Sequence, residues 1–271
     1  MSQPSTARHR LLRLMPKVEV SPEEVAVDAA VDAALGANFN QTVAALRQPI
    51  TAMAAEHGEP IGAVSADDAE NWWIEVAVPV LSAVAKRVVL NQAGQSPAAV
   101  VDAAILDVIS WLLEKHEEAE TSAGALPPAH PARLKRLVLI VASASEPLAI
   151  RDHALAMALV FSGAAARVIS GPVTDKKLKQ LVKLTQPAVI VVPKCPHSLQ
   201  CPPTEPGAAN ARCPERQQIE ALADLFPEIP VVEAPTSQPG GKGFATLVKR
   251  VLDKCPDVPD EDSDVILRKQ V

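Results

Sequence analysis

From Leu137 onward the chain alternates short unbroken apolar runs with amphipathic stretches, and this alternation restrains the fold more than any other feature. Leu137–Ala142, Ala166–Ser170, Pro187–Val192 and Pro230–Glu233 are the apolar runs. A strand that is apolar at consecutive positions suits a sheet buried on both faces. Between and after them, Ala149–Ser162, Lys176–Leu184, Gln217–Phe226 and Phe244–Lys254 carry helical patterns, the first ended by Gly163. Strands alternating with helices at this spacing imply right-handed crossovers and an open parallel sheet. Ligands of such sheets sit beyond the carboxyl ends of the strands. That edge is expected to hold the loops Ser143–Leu148, Pro193–Pro214 and Pro235–Gly243.

The first half has a different period. Ser21, Pro22 and Glu24 supply an N-cap, a first-turn proline and a capping box. Val25, Ala29, Val31, Ala34 and Leu35 follow near helical spacing. A second helix is expected over Asn40–Glu56. A third starts at Asp67–Asp68 and carries Trp72, Trp73, Val76, Val80, Leu81 and Val84. A fourth, after Gly94 and Pro97, runs through Val101, Ile105, Val108, Ile109, Leu112 and Leu113. Four such helices make a bundle. A Glu-, Ala-, Ser- and Pro-rich stretch then reads as a linker. The expected organisation is a flexible N-terminus over 1–20, a helical bundle over 21–120, a linker over 121–133 and an α/β domain over 134–255. An acidic, Pro-rich, disordered tail over 256–271 completes it.

Charge and composition narrow the function classes. A net charge of −6 over 271 residues argues against direct nucleic-acid binding, which needs clustered Lys and Arg. Aromatic content is 3%, so few side chains are available to stack on bases. The sequence has no apolar run of about 18 residues, which argues against a membrane span. Met1–Pro16 is basic but lacks the apolar core of a secretory signal. A cytoplasmic protein is the expectation. The four cysteines are then expected as free thiols or metal ligands, not disulfides.

Those cysteines form the most unusual local pattern. Cys195-Pro196-His197, Cys201-Pro202, Cys213-Pro214 and Cys255-Pro256 place a proline after every cysteine, although only 25 of 271 residues are Pro. Cys-Pro suits a thiolate on heme iron, with the proline turning the chain away from the macrocycle. It also suits zinc and iron–sulfur ligands, where proline stiffens the loop. Cys195, His197, Cys201 and Cys213 together offer three sulfurs and one imidazole, a complete shell for zinc or for an iron–sulfur cluster. The plainer alternative is a flexible Pro-rich loop with incidental thiols.

Helices followed by this α/β pattern resemble the cobalamin-binding module of corrinoid methyltransferases and light-sensing bacterial repressors, over most of residues 25–255. Val78-Pro79-Val80-Leu81 followed by Val84 resembles the start of that family's third helix. The resemblance implies a four-helix bundle followed by a flavodoxin-like (Rossmann-like) parallel sheet. It also locates the departures. The family's cofactor-capping Trp falls near Val88 and its Glu-His pair near Val101 and Asp102. Its cobalt-ligating loop His is replaced by Leu148, and Arg151 stands at a Gly position, while Glu146 matches the acidic residue just before. Cobalt in that mode needs an imidazole held by a carboxylate, and Leu148 offers no lone pair. Cobalamin is therefore not expected, although His153, after Asp152, is a candidate displaced ligand. The architecture is also similar to regulators of bacterial photosynthesis genes that hold heme in place of cobalamin, and, like antirepressors, the chain lacks a DNA-reading domain.

Lesser candidates complete the reading. Trp72 and Trp73 are core residues or a lid over a planar cofactor. Gly240-Gly241-Lys242-Gly243 is a helix-entry turn or an anion cradle. Asp67, Asp68 and Glu70 complement a helix dipole. No nucleophile triad or carboxylate pair stands out, so catalysis is not expected. The expectation is a sensor or regulatory adaptor binding zinc, an iron–sulfur cluster or heme through Cys195, His197, Cys201 and Cys213. Trp72, Trp73 and His153 are further cofactor contacts. A protein partner such as a transcription regulator would read the ligand state, and homo-oligomerisation is open. The alternatives are an interaction module with a dead cofactor site and a corrinoid-binding protein.

Overall fold

The computed structural model describes residues 21–88, 96–123, 135–142, 146–169, 175–194, 221–235 and 241–256. It is a mixed α/β structure in which helices predominate and the described strands form one four-stranded parallel sheet. Helix α1 (Pro22–Leu35) begins as expected, with Ser21 and Glu24 exchanging side-chain and backbone bonds in a capping box. Helix α2 (Phe39–His57) is capped by Asn38, contains Pro49 and ends at Gly58 in the left-handed region. A 3-10 turn (Ile61–Ala63) leads to α3 (Ala66–Trp72), whose capping box is Ser65 with Asp68. The helix then widens into a π segment (Trp73–Ala77) before α4 (Val78–Val88). The long helix α5 (Pro97–Ser122) opens on a first-turn proline.

The second half alternates as the apolar runs require. β1 (Leu137–Val141), α6 (Glu146–Phe161), β2 (Ala165–Ile169), α7 (Asp175–Thr185) and β3 (Val189–Pro193) come first. A short helix α8 (221–225), β4 (Val231–Ala234) and α9 (Gly241–Leu252) complete the described residues. Three boundaries differ from the sequence reading: α5 runs through Ser122 into the expected linker, Gly241–Gly243 open α9 instead of ending a loop, and Glu146, Pro147 and Leu148 are not loop but the first turn of α6. Proline near a helix start loses no bond that the helix would otherwise make, so Pro147 is compatible with that turn.

The sheet order is β2-β1-β3-β4, with Leu137 beside Ala165, Val138 beside Val189 and Ile190 beside Val231. Its residues divide by parity. Val138, Ile140, Val189, Val191, Val232 and Ala234 join the core that contains α6, α9 and the N-terminal helices. Leu139, Val141, Ile190 and Val192 face Leu178 and Val182 of α7 and Leu222 of α8. Every strand of the pair β1 and β3 thus buries both faces, which is why both read as unbroken apolar runs.

This layering limits the sheet. β1 passes to β2 on one side through α6, whereas β2 to β3 and β3 to β4 run the other way through α7 and α8 on the opposite face. Those three crossovers share one hand. Helix α9 lies on the α6 face, so a fifth strand beyond β4 would reverse that hand, which parallel sheets almost never do. α9 instead packs against α6, α3 and the π segment.

Candidate functional site

A planar cofactor held between the helical half and the sheet half would lie at their junction. α5 and α3 pack on α6, and α9 closes the same region against α3 and the π segment. The two halves share one continuous buried cluster that includes Trp73, Val76, Ile105, Leu155, Met157 and Phe244.

Trp72 and Trp73 are both fully buried. Consecutive helical side chains normally diverge by about 100°, but the π segment starts at Trp73 and its wider turn shifts the register. Trp72 Nε1 donates to Leu46 O at 2.9 Å, one turn from Pro49 in α2. Trp73 turns toward the sheet half and meets Phe244 of α9, with centroids 5.8 Å apart and planes at 41°. Its Nε1 is buried with no hydrogen-bond partner. A buried donor left unbonded costs about 1–3 kcal/mol, so Trp73 is held there by apolar packing and not by its polar atom.

Helix α6 also carries a buried ion pair. Arg151 and Asp152 on α6 are 0% and 1% exposed. Arg151 Nη2 and Nε donate to Asp152 Oδ1 at 2.6 and 3.1 Å. Arg151 Nη1 donates to Pro235 O, immediately after β4. The guanidinium therefore ties α6 to the carboxyl edge of the sheet, where ligands of such sheets sit. Sequence reasoning gave Arg151 no role. The only available signal was two adjacent charges inside an otherwise apolar helical stretch.

His153, the candidate displaced ligand, lies inside α6 and is half-buried; burial holds its pKa below the ordinary imidazole range, partly offset by the Asp152 carboxylate. A second imidazole also spans the junction. His116 on α5 stacks on Phe161 at the end of α6, with centroids 4.1 Å apart. Its Nδ1 lies 3.2 Å from Gly62 O and its Nε2 lies 3.5 Å from Glu120 Oε1. No sequence pattern pointed to His116.

Cys195, His197, Cys201 and Cys213 lie outside the described residues, as does Gly240 of the glycine cluster. β3 leads into that cysteine segment at Lys194, whose N–H donates to Ala234 O at 2.7 Å. Pro193 and Pro235 thus mark neighbouring points on the carboxyl edge. Cys255 is described, buried, and its thiol is pushed above the ordinary range by burial, partly offset by Arg136. Among the described residues no three His, Cys, Asp or Glu side chains come together as a metal shell, and no helix is long and apolar enough to cross a membrane.

Leu148 cannot ligate cobalt, and the space between the halves is occupied by Trp73, Phe244 and Met157, none more than 0% exposed. No protein-family model matches the chain, and no curated protein matches it.

Proposed function

We propose that this protein is a non-enzymatic regulatory adaptor, built as a helical bundle joined to a flavodoxin-like sheet of the cobalamin-binding type. In this reading the junction transmits a state instead of holding a ligand. The observation that carries it is the closed junction: Trp73 packs against Phe244 within one buried cluster shared by both halves, and the buried Arg151–Asp152 pair on α6 reaches Pro235. Packed interfaces have discrete arrangements and do not deform continuously, so they suit a two-state readout. A cavity sized for a macrocycle would favour the corrinoid alternative instead.

The ligand, in this reading, belongs to the cysteine segment that follows β3. Cys195, His197, Cys201 and Cys213 supply donors for zinc, an iron–sulfur cluster or heme, and zinc or a cluster there would stiffen the loop. The loop departs beside Pro235, which Arg151 grips. Ordering the loop would bias α6 and, through it, α5 and α3. A protein partner, with a transcription regulator as the leading candidate, would read that bias.

Metal analysis and absorption spectra of protein purified with and without oxygen test the ligand. Stoichiometric zinc, iron–sulfur absorption or a Soret band is expected, and is expected to be lost in Cys195→Ser/Cys201→Ser. Finding none of the three removes the ligand and leaves an interaction module with a filled site. Tight binding in a cobalamin titration would overturn the closed junction itself.

A further inference from the structure

The described residues leave an open cavity of about 710 Å³ at the opposite, amino edge of the sheet. It is built where three strands begin. Lys135 stands just before β1, Gln186 to Ala188 just before β3, and Glu228 to Pro230 just before β4. Its size is within the range of small-molecule sites.

The walls and the rim differ chemically. Val182, Ala188, Phe226 and Ile229 give it an apolar lining. Pro187, Pro230 and Pro256 also line it, and proline has no N–H to offer. Recognition by backbone donors is therefore limited at those positions. Among the described residues the charged lining is Lys135, Lys183 and Lys254 against the single carboxylate Glu228. Lys183 and Lys254 come from α7 and from just after α9, on opposite faces of the sheet, so the positive charge brackets the opening. Gln186 has φ 44°, in the left-handed region that a side chain seldom adopts without cause. It sits where α7 ends, with its N–H bonded to Val182 O at 2.8 Å. The turn that glycine usually makes is here made by Gln186, a lining residue of the cavity.

We propose that this amino-edge cavity binds a small organic anion with an apolar body, its acid group held by Lys183 and Lys254 and its body against Phe226 and Ile229. The site is independent of the cysteine segment and of the closed junction. Cys255 lines the cavity and reports on its occupancy.

The test uses the full chain, 2-naphthoate as probe and uncharged 2-naphthamide as its match. Alkylation of Cys255 by iodoacetamide is followed by peptide mass spectrometry, with a cysteine-free peptide of the same chain as the internal reference. Protection scales with occupancy, so about 1 mM naphthoate is expected to slow Cys255 alkylation about fivefold, and naphthamide less than about twofold. In Lys183→Glu/Lys254→Glu the protection by naphthoate is expected to vanish. No protection by naphthoate, equal protection by naphthamide, or full protection in the double variant would each overturn the proposal.

Discussion

Arg151 is the side chain on which the junction most depends. A guanidinium removed from water is tolerated only when its charge and its donors are satisfied, and Asp152 Oδ1 and Pro235 O do that here. Removing one member of such a pair leaves the other charge buried. Arg151→Met is therefore expected to lose about 3–5 kcal/mol of stability in urea denaturation. Arg151→Met/Asp152→Leu is expected to be more stable than that single variant, because it removes both charges of the pair together. A single variant within about 1 kcal/mol of the parent would show that the pair is not buried as described. Neither partner was legible as a core residue, since Lys, Arg, Asp and Glu are by default solvent-facing. Trp72 and Trp73 were legible as apolar, but not which of them would find a partner. That difference arises because Leu46 O lies near one indole and no acceptor lies near the other.

At the scale of elements, the 3-10 turn lies close against the backbone of α5. A Cβ on Gly62 would stand 1.8 Å from Lys115 O and 2.8 Å from Ala119 Cβ. The glycine is required by closeness to a neighbouring backbone, not by its own dihedral angles. Gly62→Ala must push the turn away from α5, and with it the Gly62 O contact of His116. A loss of about 3 kcal/mol or more is expected on thermal or urea unfolding, at the upper end for overpacking. A loss below about 1 kcal/mol would mean that the turn moves freely. Helix beginnings were readable where a Ser or Asn precedes a helical pattern, as at Ser21, because capping is local chemistry. The start of α6 at Glu146 was not readable, because a Ser-, Glu- and Pro-containing stretch has the composition of a loop. The π segment was equally hidden: one extra residue per turn leaves no compositional mark.

For the whole molecule, the continuous core has a thermodynamic consequence. Trp73, Ile105, Leu155 and Phe244 belong to one buried cluster, so the two halves cover each other's apolar surface. Cooperative units follow shared burial. The full chain is expected to unfold in one transition, with tryptophan fluorescence, which reports on the helical half through Trp72, Trp73 and Trp111, coinciding with far-ultraviolet circular dichroism. A fragment ending at Ala123 is expected to retain helix but lose cooperative unfolding. Two separate transitions in the full chain would show that the halves are energetically independent.

The sequence by itself determined the alternation of strands and helices, the parallel sense of the sheet and the Ser21 cap of the first helix. These follow from local periodicity and from short-range backbone chemistry, which a single chain segment carries within itself. It also determined that position 148 cannot ligate cobalt, because a leucine has no lone pair. Only the tertiary structure decided that the space between the halves is filled by Trp73 and Phe244 and that Arg151 reaches Pro235. It alone also decided that the beginnings of three strands enclose a cationic cavity. Each of these joins residues far apart in the chain, and their meeting depends on the packing of whole elements, which no local pattern encodes.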